Sequence, residues 1–332
     1  MENVLLDFYG VVFAVECPEK FASWVRHDFS PFVSAGAGAE PLFVFRVFKK
    51  SAFPQAQAFA ESVYSNSDCI VFDNAAGRRI VFFDGDRALW DFAKREISFY
   101  SGNAEGAYLK FYDSLMTLAG RAFDLKGLHR IHCTCFSERG KAVLFLGEAG
   151  VGKTTLALNV LQNSMLGIVS DETILLGPKR GVFSFFTRFG IRGRGGAEGF
   201  LKTPARRLAL HNGSEKFLVS AEALGSRLEK KARVSKIVVL RRNLSRNSFS
   251  GRASKPAVFW WLFRNSVLGQ SIPQSPAYLF FPSISKRLEH ATVYFSRFLA
   301  IASVVLFSDC LFFSQGSDKS EALERVLELF GG

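Results

Sequence analysis

Eight consecutive residues, Gly147-Glu148-Ala149-Gly150-Val151-Gly152-Lys153-Thr154, match G-x-x-x-x-G-K-(S/T) at every fixed position. Glycines at these places let successive backbone N–H groups turn toward one phosphate, and a helix starting at Lys153 aims the positive end of its dipole at the same point. Lys153 would reach the β and γ phosphates of ATP, and the Thr154 hydroxyl would ligate Mg²⁺. Thr155, the next residue of that helix, completes the candidate nucleotide-binding set Gly147 to Thr155. The competing reading is an ordinary glycine turn beside a surface lysine, but a strand-like run before the motif and a helical run after it favour the phosphate site.

Two acids follow at a useful distance. The apolar run Leu166 to Val169 leads into Ser170-Asp171-Glu172, and the separation from Lys153 leaves room for one helix and a return strand into the same sheet. Carboxylates at such a strand end hold Mg²⁺ or take a proton from an attacking hydroxyl. Asp171 is the candidate for metal or base, with Glu172 as its substitute; the bland alternative is a pair of solvated turn acids. His132 belongs to a further candidate cluster, although a lone histidine is ordinarily a satisfied core residue. Together His129, His132, Cys133 and Cys135 raise the thought of zinc, but no second ligand pair lies at an established spacing.

The elements that must position these residues are legible in outline. His129 to Phe136 and Lys141 to Leu146 read as strands, Lys153 to Leu161 as a helix, Leu166 to Val169 and Lys236 to Leu240 as short strands. The chain closes with a helix near Val293 to Val305, a strand Cys310 to Ser314 and a helix Asp318 to Leu329. Before them stands a small mixed α/β module: a hairpin of Val4 to Phe8 and Val11 to Glu16, a helix from Pro18, strands at Leu42 to Val47, Cys69 to Phe72 and Arg79 to Phe83, and a helix Glu105 to Phe123. The boundary is placed so that residues 1–125 form a docking or subunit-contact module and residues 126–332 the nucleotide-binding domain. Between Arg188 and Arg207 lies a glycine-rich basic stretch. Its arginines, Arg192 and Arg194 among them, read equally as a loop closing over phosphate or as a solvated surface loop. Trp260 and Trp261 read as core or interface residues.

With 332 residues, 48% hydrophobic and 22% charged, the chain has enough apolar surface for about two packed domains. Residues 1–130 sum to −2 and residues 131–332 to +14, so the basic character behind the net charge of +12 lies in the second part; it favours phosphorylated ligands, nucleic acid or acidic partners without choosing among them. Five irregularly spaced cysteines fit reduced thiols, and Glu2 and Asp7 stand where a secretory signal needs bases, so the expected location is cytoplasmic. The longest uncharged apolar run, Phe298 to Ser308, falls short of the roughly 20 residues a membrane span needs.

The segment from Ile131-His132-Cys133-Thr134 through Gly140 to Leu156 and on to Val169-Ser170-Asp171-Glu172 resembles the core of HPr kinase/phosphorylase, and also that of phosphoenolpyruvate carboxykinase, whose nucleotide domain is related. The resemblance implies an α/β P-loop (Walker A) kinase core with a mixed sheet, His132 near the metal or phosphate, Lys153 and Thr154 on the triphosphate, and Asp171 at the centre of the chemistry. It covers only Ile131 to Glu172. Where these families carry two adjacent aspartates, this chain has Asp171-Glu172, and the second glycine-rich signature of HPr kinases is not found downstream. The expectation is therefore a Mg²⁺-dependent kinase of this group acting on another substrate: a protein or peptide bearing a Ser or Thr hydroxyl. A small hydroxylated molecule such as free serine, or a nucleotide-dependent switch without an acceptor, remains as the alternative. Nucleic acid, through the basic and aromatic residues between Arg188 and Arg264, is the lesser reading, and a homo-oligomer is left open.

Overall fold

The computed structural model describes residues 1–36, 40–54, 61–74, 76–192, 205–209, 215–270, 275–279 and 284–331. It is mixed α/β with large mixed sheets and divides into two compact units, Met1–Ala122 with Pro273–Pro282, and Phe123–Ile272 with Ser283–Gly332. The expected single boundary at 125/126 omits the return of Pro273–Pro282 to the first unit, a segment that carries three prolines.

In the first unit β1 (Glu2–Asp7) and β2 (Val12–Cys17) form the expected hairpin. Tyr9 and Gly10 both turn through positive φ, and the Asp7 carboxylate accepts the Gly10 N–H at 2.7 Å. There follow α1 (Glu19–Asp28), β3 (Val33–Ser34), β4 (Phe43–Lys49), β5 (Glu61–Ser65), β6 (Cys69–Asp73), β7 (Gly77–Phe82), β8 (Arg87–Asp91), β9 (Glu96–Ser101) and α2 (Ala104–Leu125). One sheet results, in the order β3-β1-β2-β4-β9-β8-β7-β6-β5. Phe13, Phe45, Phe99 and Phe111 are fully buried in this unit, so phenylalanine does here what leucine does in most cores.

The second unit holds β10 (His129–His132), β11 (Thr134–Glu138), β12 (Lys141–Leu146), α3 (Lys153–Asn163), β13 (Gly167–Ser170), β14 (Thr173–Leu176), β15 (Gly181–Ser184), β16 (Arg188–Arg192), β17 (Arg206–Ala209), β18 (Glu215–Ser220), β19 (Lys231–Arg242), β20 (Phe249–Arg252), α4 (Lys255–Leu262), α5 (Ile284–Leu306), β21 (Asp309–Gln315) and α6 (Lys319–Glu328). Its main sheet runs β10-β14-β15-β19-β12-β11-β13, with β21 also along β19 and β20 along β21. β12 and β21 each pair in parallel with β19. Helices cover both faces, which is why Ala142 to Leu146 is apolar without alternation. Val143 and Phe145 pack with Leu156 and Val160 of α3 and Val326 of α6; Leu144 and Leu146 pack with Leu262 of α4 and Ile301 of α5.

Three sequence expectations need correction. The run His129 to Phe136 is two strands, broken at Cys133. Asp171-Glu172 do not end their strand but interrupt it, because β14 resumes at Thr173. The ends of the Arg188–Arg207 stretch are strands, β16 and β17, held by β18 in a separate three-stranded sheet, where the ladder satisfies backbone groups a loop would leave to water.

A buried ionic cluster ties α5 to this unit. Arg297 clamps the Asp124 carboxylate through both Nε and a terminal nitrogen. His129 engages the same carboxylate with Nδ1 at 3.0 Å and Ser296 Oγ with Nε2 at 2.9 Å. Burial alone would push Asp124 up, but hydrogen bonds to His129 and Arg297 and the Arg297 and Arg130 charges outweigh it and hold the carboxyl below its ordinary range. Replacing Arg297 with Met should cost about 3–5 kcal/mol at pH 7 by removing the bidentate partner of a buried carboxylate and leaving it to His129 and the Arg130 charge. Asp124 is an acid with a depressed folded-state pKa, so its contribution is full above the ordinary pKa and fades as pH falls through the lowered value. The wild-type advantage in urea unfolding should shrink in the same direction.

Candidate functional site

The glycine motif forms the loop between β12 and α3. Gly152 caps the helix at φ 107°, a left-handed conformation that costs a side-chain-bearing residue strain. At Gly147 the limit is space: a Cβ there would meet Val151 Cγ1 at 2.7 Å and the Leu240 carbonyl at 3.2 Å. Loop and helix together present the N–H groups of Lys153, Thr154 and Thr155, which have no carbonyl partner within their own first turn.

Lys153 is buried and folds back on the loop, donating to the Gly147 carbonyl at 2.7 Å and the Glu148 carbonyl at 3.1 Å. Burial pulls its ammonium below the ordinary lysine range, an effect opposed by Asp171 and, more weakly, Glu148 and Glu172. The Thr154 hydroxyl donates to Asp171 Oδ2 at 2.8 Å. Thr134, from β11, donates to Asp171 Oδ1 at 2.8 Å and lies 3.2 Å from the Asp171 carbonyl. Both oxygens of one buried carboxylate are thus held by hydroxyls from different elements.

The local cause is the break in two paired strands. β10 and β11 run antiparallel to β14 and β13, with His132 opposite Thr173 and Cys135 opposite Ser170. Between these positions the regular ladder opens, keeping the bond from Cys133 N to Glu172 O. Asp171 and Glu172 sit in that opening, facing the segment that carries His132 and Thr134. Burial pushes the Asp171 carboxyl up to about 6, helped by the Glu172 charge; the two threonine bonds and Lys153 pull the other way and do not cancel it. Burial, then the Lys153 charge, holds the His132 imidazole below its ordinary range, with Glu172 opposing. His132 is therefore neutral at pH 7, with a lone pair to offer.

A cavity of about 560 Å³ joins these parts, within the range of ligand pockets. His132, Asp171 and Glu172 line it along with Ala149, Gly150 and Gly152 to Thr155. Gly147, Glu148 and Val151 of the same loop are not among the lining residues. Of the glycine-rich basic stretch, Gly190 and Ile191 reach the cavity from β16; Gly193–Gly196, with Arg194, lie outside the described residues, as does the Arg192 side chain. Sequence reasoning assigned no role to Thr134, although the period of two that pairs it with His132 on one face was there to read. Lys216 of β18, Lys319 of α6, and Asn159 and Gln162 of α3 also line the cavity; only tertiary structure brings Lys216 and Lys319 here.

A hydroxyl and a carboxylate held together are hard oxygen donors, the set that suits Mg²⁺. His129 is no part of this group, because Asp124 and Ser296 already engage both its ring nitrogens. Compared with known proteins, the chain matches no family model and none of the curated proteins.

A group buried at a raised pKa destabilises the fold at pH values where it must ionise. The folded state holds the Asp171 proton more tightly than the unfolded chain, so its contribution falls as pH rises from the ordinary 3.8 through about 6. Asp171→Asn should remove that cost. Without nucleotide or Mg²⁺, the variant is expected to be about 1–3 kcal/mol more stable than wild type at pH 7, with the difference closing near pH 4, measured by urea unfolding across that range.

Proposed function

We propose that this chain is an ATP- and Mg²⁺-dependent phosphotransferase that moves the γ-phosphate to a Ser or Thr hydroxyl of a protein or peptide, with a P-loop kinase core of the HPr kinase type in its second unit. The observation that carries this reading is the Asp171 carboxylate, buried, raised to about 6 and fixed by Thr154 directly after the lysine of a phosphate-cradling loop. Structural acids are ordinarily paired and lowered; one left raised at the wall of a cavity suits proton transfer.

In this reaction the acceptor oxygen attacks the γ phosphorus in line, the bond to the β-phosphate oxygen breaks, and ADP leaves. The acceptor proton passes to Asp171, which is mostly ionised at neutral pH and yet more basic than an ordinary aspartate. Lys153 exchanges its loop carbonyls for phosphate oxygens, so the contacts it makes without nucleotide keep it pointed at the loop. Thr154 and Asp171, with His132 beside them, are the residues that would hold Mg²⁺, which when bound neutralises charge on the phosphates. Glu172 supplies a second acid at the same wall. A distinct ATPase role would call for a group that orients water in place of one that takes a hydroxyl proton.

The test is incubation with Mg²⁺ and γ-labelled ATP in the presence of Ser- and Thr-containing peptides, or of free serine. Label is expected on a hydroxyl, with the rate falling below about pH 6 as Asp171 takes up a proton. Lys153→Ala and Asp171→Asn should each lower transfer by about 10²–10⁴-fold. Label found only in free phosphate would overturn the transferase reading in favour of hydrolysis.

A further inference from the structure

Away from the cavity, the second unit exposes a continuous apolar face on α5 and α4. Phe295, Phe298, Leu299 and Leu306 fall on one stripe of α5 by the 3.6-residue repeat, spanning about 17 Å along its axis. All four are exposed, Phe295 to 64%, and Phe307 just beyond the helix is 67% exposed. Phe298 packs edge-on against Phe259 and Phe263 of the neighbouring helical segment, and the Phe263 ring stacks on Trp260, itself 57% exposed. The stripe and Trp260 therefore form one surface. Trp261, expected to share its neighbour's environment, packs into the core beneath.

The rim of this surface is cationic. Lys255 donates to the Leu306 carbonyl at 2.5 Å, and Arg180 bonds the Phe307 carbonyl while its guanidinium lies 5.9 Å from the Phe307 ring. Arg264 is exposed next to Phe263. From Lys231 to Asp309 the sequence has twelve Lys and Arg and two acids, Glu289 and Asp309. No helix among the described residues is long and apolar enough to cross a membrane.

We propose that this face docks the protein on an anionic lipid surface, with α5 lying in the plane of the interface, its aromatic and leucine stripe at the headgroup boundary and Arg180, Lys255 and Arg264 on lipid phosphates. The charge pattern selects this occupant. A symmetric contact with a second copy would bring the same cations together, and a wholly apolar partner would cover them with no opposite charge to offset theirs. Anionic lipid satisfies stripe and rim at once, with Trp260 at the depth where indole rings concentrate.

The experiment is co-sedimentation of the full chain with vesicles of phosphatidylcholine alone, or of phosphatidylcholine and phosphatidylglycerol in equal parts. Binding is expected on the anionic vesicles, weakening as salt rises. Lys255→Gln and Arg264→Gln should each weaken it about fivefold. The double variant Phe295→Ser with Leu299→Ser should weaken it about tenfold or more, while its circular dichroism stays that of the folded wild type, because more than half of each residue is exposed. A blue shift of emission on binding, lost in Trp260→Tyr, would place the indole in the interface. Three outcomes would overturn the proposal: no binding to anionic vesicles, undiminished binding by the double variant, or self-association in solution that the double variant abolishes.

Discussion

One carboxylate, Asp171, is held against its own preference, and much of the second unit is arranged around that. Two hydroxyl bonds to a charged group are worth about 1.5–3 kcal/mol each, against a burial cost of several kcal/mol per ion. They do not fully offset it, which is why the carboxyl stays raised to about 6. The bonds also fix geometry. Thr154 ties the acid to the first turn of α3 and Thr134 ties it to β11, so loop, helix and sheet share one reference point.

That reference point depends on a defect in pairing. Had regular ladder pairing run unbroken through β10–β11 and β13–β14, whose register is the same on both sides of the opening, residues 171 and 172 would have been ordinary ladder members with side chains committed to opposite faces. The opening at Cys133 and Asp171-Glu172 removes that constraint while keeping both strands paired on either side, so the acids are displayed from a rigid frame. A loop of similar composition would carry the same groups with less positional control.

What the sequence disclosed, and what it withheld, follows from the range of the interactions involved. The glycine loop, β12 and α3 were legible because local rules produce them: an apolar run, glycines at fixed offsets, then a helical period. Asp171 was legible because its distance from Lys153 is set by one helix and one return strand. The interruption at Asp171 was not, since β14 is placed there by pairing with β10, which is distant along the chain. The same holds for β16 to β18, where a glycine-rich basic composition spoke for loop and a three-stranded ladder prevailed. Lys216 and Lys319 carry no local mark of the cavity they line. Trp260 and Trp261 show the limit most simply: adjacent on one helix, they point to different environments that composition alone could not separate.

The sheet keeps the two chemical regions of the second unit apart. Along β12, side chains alternate between the layer holding α3 and the layer holding α4 and α5, so each layer packs on its own set of residues. The loop that β12 launches is positioned by the strand itself, by the Thr154 bond to Asp171 and by contacts of α3 with Val143 and Phe145. None of these involves the outer stripe of α5, whose inner face alone contributes Ile301 and Val304 to the opposite core. Close packing transmits strain from a core substitution, but Phe295, Leu299 and Leu306 end largely in solvent, and Phe298 packs on Phe259 and Phe263 in the α4–α5 layer, on the side of the sheet away from α3. The outer stripe and the phosphate-cradling loop can therefore vary independently, and an apolar surface beyond what the packing of α4 on α5 requires calls for an explanation outside the fold.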